Sequence, residues 1–238
     1  HILSNQFPAC LKIAKVVPLH KSGDKKLANN YRPIAISPII GKIFEAVLLS
    51  RLEHHLKNNN ILNENQFGFV KKSSTESATT HVLSSIYNNI ENKKYTAATF
   101  IDLSKAFDSL KHSILLTKLK KLELSPPFYN LMESYLSDRV QYVEVNQFKS
   151  SHRNILKGVF QGSIMASTLF LFYINSIFLI PLKGKMYLYA DDIVIIYGAS
   201  TPEELKLWMQ SDLNFINVWL ENHLLKLNVD KTKYMIFE

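Results

Sequence analysis

Hydrophobic and polar positions alternate most clearly in the second half of the chain, where they predict β-strands. Residues 186–197 contain two runs of β-branched and aromatic residues on either side of Asp191 and Asp192. This pattern predicts a β-hairpin with both acids at or beside its turn. Residues 95–103 are small, β-branched and aromatic, as expected of a central strand buried on both faces, and Asp102 stands near the end of that strand.

Apolar residues that recur at steps of three and four predict helices. The helix over residues 39–57 has an apolar stripe that is expected to be core. The stripe consists of Ile40, Ile43, Phe44, Val47, Leu48, Leu52 and Leu56. A second helix follows the capping-box spacing of residues 73–76, with Val82, Leu83, Ile86 and Ile90 expected to be buried. Further strands are predicted at 11–20, 31–36, 139–145, 151–156 and 231–238, and further helices at 109–122, 125–137, 164–179 and 202–224.

The apolar helix over residues 164–179 raises the question of a membrane span. Tyr173, Asn175 and Ser176 interrupt it, and it falls short of about 18 clean apolar residues. A buried core helix is therefore predicted, and no membrane association is expected.

Composition indicates a folded globular chain. Its 238 residues are 47% hydrophobic, which suits one large domain or two small ones. The single cysteine, Cys10, excludes an internal disulfide framework and suits a reducing compartment. Because the sequence opens at His1 without a starting Met, we expect a piece of a longer protein.

Positive charge is concentrated in the first part of the chain. Residues 1–94 contain 13 Lys and Arg against six Asp and Glu, whereas residues 95–238 contain 15 against 14. The first part therefore suits contact with a polyanion, and nucleic acid is the obvious candidate. A basic surface that serves solubility is the alternative.

The three singled-out carboxylates suggest metal chemistry. Asp191 and Asp192 repel each other when both are ionised, unless a cation lies between them. Asp102, with apolar neighbours, needs either a salt bridge to Lys105 or a metal ion. A solvated turn remains the alternative for the adjacent pair. If an antiparallel sheet joins the three acids, they could hold two Mg²⁺ ions about 3.5–4 Å apart, as in nucleotidyl transfer.

Six sequence blocks, in order, resemble those of reverse transcriptases. Tyr189-Ala190-Asp191-Asp192 is similar to the family's Tyr-x-Asp-Asp signature, and Phe100-Ile-Asp-Leu-Ser-Lys-Ala-Phe-Asp108 is similar to its first catalytic motif. The other blocks are residues 30–34, 65–69, 158–163 and 227–232. Single motifs are weak, but six in order are specific. The resemblance covers almost the whole chain and is closest to non-long-terminal-repeat retrotransposons, particularly the jockey-like elements of arthropods.

The resemblance implies an α+β right-hand polymerase fold, with an antiparallel palm sheet packed on helices. The chain would be a single reverse transcriptase domain. Its fingers would lie mainly in residues 1–94, and its palm mainly in residues 95–238 with a fingers insertion at about 109–157. The thumb is expected to be absent. An RNA template, a DNA primer and deoxynucleoside triphosphates would be the partners, in an intracellular ribonucleoprotein that is nuclear and cytoplasmic.

The family's site residues carry over position by position. Asp102 and Asp191 would bind two Mg²⁺ ions (Mn²⁺ is possible), with Asp192 in support and the Leu103 carbonyl as a further ligand. Lys231 would be a general acid toward pyrophosphate, or else an ordinary solvated lysine.

Nucleotide binding would involve five further residues. Lys21 and Arg32 would hold the triphosphate, and Gln161 and Gly162 would line the nucleotide and template pocket. Phe107, five residues after Asp102, would sit under the sugar and exclude a 2′-hydroxyl.

Two departures from the family pattern flank the Gln-Gly loop. Phe160 stands where the family usually has Pro, and Ala166-Ser167 stand where it usually has Gly-Pro. The copy could therefore be a decayed, inactive nucleic-acid-binding remnant. A hydrolase that uses two carboxylates without metal is the other alternative, and sensitivity to a chelator would argue against it.

Overall fold

The computed structural model describes residues 5–159 and 162–237. The strands are β1 (Ile13–His20), β2 (Tyr31–Ile36), β3 (Tyr95–Ile101), β4 (Leu103–Ser104), β5 (Val140–Val145), β6 (Phe148–Lys149), β7 (Arg153–Asn154), β8 (Lys185–Tyr189), β9 (Asp192–Ala199), β10 (Lys226–Leu227) and β11 (Lys233–Phe237). The helices are α1 (Ile39–Asn58), α2 (Thr75–Glu91), α3 (Ala106–Ser109), α4 (His112–Lys120), α5 (Pro126–Leu136), α6 (Ala166–Ile174) and α7 (Pro202–Asn222). No helix within the described residues is long and apolar enough to cross a bilayer.

The chain divides into two compact units, each assembled from two separate stretches of sequence. The first comprises His1–His55 and Phe107–Leu169, and the second comprises Leu56–Ala106 and Phe170–Glu238. The expected division into fingers and palm stays a prediction.

In the first unit, a mixed sheet has the strand order β2-β1-β5-β6, with β7 also paired to β5. The predicted antiparallel pair over residues 11–20 and 31–36 is confirmed, because β1 and β2 pair antiparallel with Pro18 opposite Pro33. β2 lies at the edge of the sheet, where a proline that cannot donate a ladder hydrogen bond is tolerated. The predicted pairing of residues 139–145 with 151–156 is found between β5 and β7.

Helix α1 forms where predicted, but part of its expected core stripe faces solvent. Leu48, Leu52 and Leu56 are buried as predicted, whereas Ile40 is 62% exposed and Ile43 is 60% exposed. Val47 is also exposed, and Phe44 is half-buried. The buried face begins at Gly41 and Glu45 and continues through the three leucines, at steps of three and four. The Glu45 carboxylate can be buried because it has polar partners in this unit. The buried face of α1 therefore includes Glu45 and lies to one side of the predicted stripe.

The second unit is organised around an antiparallel sheet with the strand order β11-β3-β9-β8. The prediction of a central strand over residues 95–103 is confirmed, because β3 lies between β9 and β11 and five of its seven residues are buried. The predicted hairpin is β8 and β9. The predicted last strand is β11, at the edge of the same sheet.

Helix α2 covers part of this sheet. Ile86 packs with Ala98, Ile196 and Tyr187 in a hydrophobic cluster, and Val82 lies against it. Two residues of the predicted buried face are instead exposed, namely Leu83 at 44% and Ile90 at 42%. The buried face of α2 runs through residues 78, 82 and 86, so both residues lie on the flank of the helix. The helix begins one residue later than predicted, because Ser74 is its N-cap and forms the capping box with Ser77.

The other predicted helices show one notable change. Helix α7 begins as expected, with the Thr201 hydroxyl accepting from the Glu204 N–H at 3.2 Å. The apolar helix predicted over 164–179 is instead α6 followed by a 3₁₀ segment at Asn175–Leu179. The Asn175 side chain accepts from the Asn63 N–H and donates to the Ile61 carbonyl, and these bonds coincide with the change of helix type.

Candidate active site

Asp191 and Asp192 lie at the tip of the β8–β9 hairpin. Tyr189 pairs with Asp192, so Ala190 and Asp191 form a two-residue turn and Asp192 opens β9. Ala190 has φ +58°, a left-handed conformation that is unusual for a residue other than glycine. The two adjacent acids thus have different backbone positions, one in the turn and one at the first rung of the ladder.

Asp102 meets this hairpin tip through strand register. Ile101 pairs with Ile193 in the antiparallel β3–β9 ladder. One step further along each strand, Asp102 follows Ile101 and Asp192 precedes Ile193, so the two acids end the same pair of strands on facing positions. The predicted meeting of the three carboxylates at strand ends in one sheet is therefore found within the second unit.

The carboxylates act on each other electrostatically. Burial raises the pKa of Asp191, a hydrogen bond from its own backbone lowers it, and the charges of Asp192 and Asp102 raise it. Burial also raises the pKa of Asp192, as does the charge of Asp102, while Lys231 opposes both. In the protein alone, ionisation of Asp191 and Asp192 is therefore disfavoured, and a bound cation would reverse that preference.

Asp102 is held by a segment that follows α7. The Asn228 side-chain amide donates to Asp102 Oδ2 at 2.7 Å, and the Asn228 backbone N–H donates to the Asp102 carbonyl at 2.9 Å. The short β10 strand pairs Leu227 with Leu103 and brings this segment alongside. Sequence reasoning did not assign Asn228 to the site, although its motif contained the residue.

Lys231 lies beside Asp102, and its role as a general acid stays a prediction. Its ammonium nitrogen is 3.9 Å from Asp102 Oδ2, and the two side chains are 71% and 32% exposed. A long ion pair with so exposed a lysine stabilises the fold little. The ion pair of Asp102 is therefore with Lys231, and not with Lys105 as the salt-bridge alternative predicted.

The donor chemistry of the cluster fits a hard divalent cation. Mg²⁺ prefers carboxylate oxygens, keeps several waters and usually shares its remaining positions with substrate phosphates. Among residues 5–159 and 162–237, no group of three or more His, Cys, Asp or Glu side chains is placed so that it could hold a metal ion. Asp102, Asp191 and Asp192 have carboxylate oxygens of the kind that such ions prefer, and their binding of metal stays a prediction. The predicted participation of the Leu103 carbonyl stays a prediction.

Lys21 and Arg32 lie in the first unit, on the β1–β2 hairpin. The Lys21 N–H donates to the Asn30 carbonyl at 2.8 Å, which continues the ladder one step beyond β1. Arg32 is opposite Leu19. In that register the two basic residues are diagonal neighbours on one face, about 7–8 Å apart. Both side chains are exposed, as cations that contact a phosphate need to be.

The glycine-containing loop of the first unit lies against two other segments. The Val159 N–H donates to the carbonyl of Phe107, which is half-buried in α3. Gly162 has φ +121°, and a Cβ there would lie 2.5 Å from the Ala35 oxygen in β2, so only glycine fits. Gln161, also predicted to bind nucleotide, lies outside the described residues.

A buried glutamate supports the same loop and was missed by sequence reasoning. Glu45, 1% exposed, accepts from the Ser163 hydroxyl at 3.0 Å and from the Ile164 N–H at 2.9 Å. Its other oxygen accepts from the Tyr135 hydroxyl at 2.9 Å. A single Glu in an amphipathic helix has no local signal that distinguishes it from a surface residue.

Comparison with known protein families gives one family over most of the chain. Residues 19–236 match the family described as reverse transcriptase (RNA-dependent DNA polymerase). The chain is 31% identical to a probable RNA-directed DNA polymerase from transposon BS of Drosophila melanogaster, over 95% of this chain and 26% of that protein. It is 29% identical to the RNA-directed DNA polymerase from mobile element jockey of the same species, over 97% of this chain and 26% of that protein. The chain thus spans about a quarter of these relatives.

Solved structures with similar folds include telomerases. The telomerase from Candida tropicalis, in complex with a fragment of telomeric RNA, matches 98% of this chain and 42% of its own, with a TM-score of 0.72 and 14% identity. The apo telomerase truncated from its C-terminal domain matches 96% of this chain with a TM-score of 0.70. At such low identity the likeness concerns the fold alone, and it supports the predicted right-hand polymerase architecture.

Proposed function

Because the chain belongs to the reverse transcriptase family and is homologous to the RNA-directed DNA polymerases of non-long-terminal-repeat retrotransposons, we propose that it carries the catalytic centre of such a polymerase. The reaction is transfer of a deoxynucleotide onto a primer 3′-hydroxyl, directed by an RNA template. The partners are the template, a DNA primer and deoxynucleoside triphosphates, within an intracellular ribonucleoprotein that is nuclear and cytoplasmic.

The observation that carries this proposal is the convergence of Asp102, Asp191 and Asp192 on the tip of one antiparallel sheet. Asp102 and Asp191 would hold two Mg²⁺ ions, with Mn²⁺ as a substitute, and Asp192 would support them. The Leu103 carbonyl would be a further ligand. Bound divalent ions supply charge stabilisation to the attacking and leaving oxygens of an in-line displacement. Asn228 keeps the Asp102 carboxylate oriented through its 2.7 Å hydrogen bond.

The remaining roles fall to residues around the nucleotide. Lys21 and Arg32 bind the triphosphate, the first as a point charge and the second as a fork. Gln161 and Gly162 line the nucleotide and template pocket. Lys231, already beside Asp102, donates a proton to the leaving pyrophosphate.

A primer-extension assay tests the proposal. A DNA primer annealed to an RNA template should be extended with deoxynucleotides in Mg²⁺ or Mn²⁺, and excess chelator should stop extension. An inactive, nucleic-acid-binding remnant would bind the hybrid without extending it. Extension that persists in excess chelator would exclude metal-assisted transfer.

One of the two departures from the family pattern, Ala166-Ser167, lies in α6, where the structure shows whether the helix tolerates it. This bears on whether the copy is a decayed remnant. Ala166 is the first residue of α6 and Ser167 is the second, within a regular helix whose start would also accept proline. Ala and Ser leave that helix intact, so the change removes rigidity without breaking an element. Phe160, the other departure, lies outside the described residues.

Phe107 is proposed as the gate against ribonucleotides. Replacing Phe107 with Ala or Val should raise the kcat/KM for ribonucleotides relative to deoxynucleotides by about 10- to 200-fold, because a smaller side chain leaves room for the 2′-hydroxyl. Steady-state kinetics with both sugars, beside a melting curve, measure the change. Phe148→Ala, at a phenylalanine that is 82% exposed in the same unit, is the matched control.

The gate would be refuted by an unchanged sugar preference in a well-folded variant. If Phe107 is instead a core residue, its truncation should cost about 3–5 kcal/mol of stability and lower both activities together.

A further inference from the structure

The hairpin turn that presents Asp191 contains a residue in an unfavourable conformation. Ala190 has φ +58°, which positions a Cβ too close to the following carbonyl in ordinary L-residues. A two-residue hairpin turn usually gives such a position to Gly, Asn or Asp. Ala190 is 5% exposed, so its backbone N–H and C=O have little access to water. Something within the fold must hold this turn in place.

The side chain of Gln66 faces both polar groups of Ala190. Gln66 Oε1 accepts from the Ala190 N–H at 3.0 Å, and Gln66 Nε2 lies 3.4 Å from the Ala190 carbonyl oxygen, to which it donates. The same Oε1 also accepts from the Gly68 N–H at 3.0 Å. Gln66 is 3% exposed, so these bonds form away from solvent, where a lost partner is costly.

The backbone around Gln66 fixes this amide in position. The Phe67 N–H donates to the Leu188 carbonyl at 2.8 Å, and the Leu188 N–H donates to the Asn65 carbonyl at 2.9 Å. These two bonds form an isolated parallel bridge between Gln66 and Leu188, at the end of β8. The amide therefore approaches the turn from a segment that is itself bonded to the hairpin.

We propose that Gln66 is a positioning residue for the catalytic turn. Its amide fixes the backbone of Ala190, and thereby the direction in which Asp191 leaves the turn. This role rests on the proposed function, because the direction of Asp191 affects catalysis only if Asp191 binds the metal ions. Supports of this kind behind a metal ligand affect ion affinity without touching the ion.

Hydrogen exchange tests the geometry independently of catalysis. In Gln66→Met, which keeps length but removes the amide, the Ala190 N–H should exchange about tenfold faster or more, while amides in the middle of β3 and β9 stay protected. Gln66→Glu keeps an acceptor oxygen and should retain most of the protection. Asn175→Leu is the matched control, because Asn175 is another side-chain amide that bonds two backbone groups in this unit.

Ion affinity tests the consequence for the site. Mn²⁺ titrated into the protein should bind Gln66→Met about 10- to 100-fold more weakly than wild type, whereas Asn175→Leu should keep its affinity within about twofold. In primer extension by Gln66→Met, kcat should fall by a larger factor than the KM for the nucleotide rises. If Gln66→Met does not fold, Gln66→Asn withdraws the amide by one methylene and should show the same pattern.

The outcomes separate the two hypotheses. Unchanged Ala190 exchange in Gln66→Met, or unchanged Mn²⁺ affinity beside faster exchange, overturns the positioning role. A wild-type protein that neither binds Mn²⁺ nor extends primers overturns the proposed function. In that case the exchange data still decide whether Gln66 holds the turn.

Discussion

Replacing Asp191 with Asn is expected to abolish primer extension while leaving the fold intact. The substitution keeps the size of the side chain but removes one of the charges that we propose to hold the metal ions. Loss of that stabilisation is worth several kcal/mol in the transition state, or about a thousandfold or more in rate. Single-nucleotide incorporation in Mg²⁺ measures the effect, and Asp102→Asn should give the same result. Asp138→Asn, at an exposed aspartate of the first unit, is the matched control.

Thermal stability separates this role from a structural one. Mg²⁺ should raise the melting temperature of wild type by mass action and leave that of Asp191→Asn unchanged. In chelator, the raised pKa of Asp191 means that the unfolded chain ionises first, so wild-type stability falls as pH rises from the ordinary value of 3.8 through the higher folded value. At pH 7 the variant should therefore be at least as stable as wild type, with the difference shrinking toward pH 4. A variant that melts well below wild type in chelator would indicate a structural salt bridge instead.

Gly68→Ala is expected to reduce primer extension nearly as strongly as Asp191→Asn, although Gly68 bears no reactive group. A Cβ at Gly68 would lie 2.2 Å from the Ala190 nitrogen and 2.8 Å from the Tyr189 carbonyl carbon. Both are backbone atoms, so no flexible side chain can move aside. Forcing the turn away should cost about 1–3 kcal/mol of stability. Displacing Asp191 by about 1 Å should reduce extension about a hundredfold.

Melting curves and extension rates on the folded fraction measure both effects. Gly41→Ala provides the comparison, because its new Cβ would make an ordinary contact of 3.7 Å with Leu11 Cβ. Alanine is also preferred over glycine inside a helix, by about 0.5–1 kcal/mol. Wild-type activity in Gly68→Ala would mean that the segment around Gly68 does not constrain the hairpin.

Local patterns in the sequence were sufficient to predict the strands that carry Asp102, Asp191 and Asp192. The alternation on either side of Asp191 and Asp192 fixes a hairpin, and the apolar run before Asp102 fixes a buried strand. These acids were recognisable because a charged group in such apolar surroundings needs an oppositely charged partner or a metal ion. Motif order then indicated which carboxylates belong together.

The residues that support the site could not be predicted in the same way. Gln66 reaches Ala190 across 124 positions of sequence, and Asn228 reaches Asp102 across 126. Neither has a local pattern that differs from a loop residue. The predicted buried faces of the helices were partly wrong for a related reason. Periodicity predicts an apolar stripe, but tertiary packing decides which edge of that stripe is buried. Ile40 and Ile43 lie beyond the edge that Glu45 and Leu48 define.

The order of strands in the β11-β3-β9-β8 sheet has a consequence for the synthesis and folding of the protein. Both neighbours of β3 come later in the chain, since Ile101 pairs with Ile193 and Phe100 pairs with Lys233. At about 5–20 residues per second, a ribosome leaves β3 waiting on the order of ten seconds for its partners. During that time its edges are open to other chains. Because Asn228 follows β3, β8 and β9 in the chain, translation that stops before it yields a polypeptide in which Asp102 lacks its hydrogen-bonding partner.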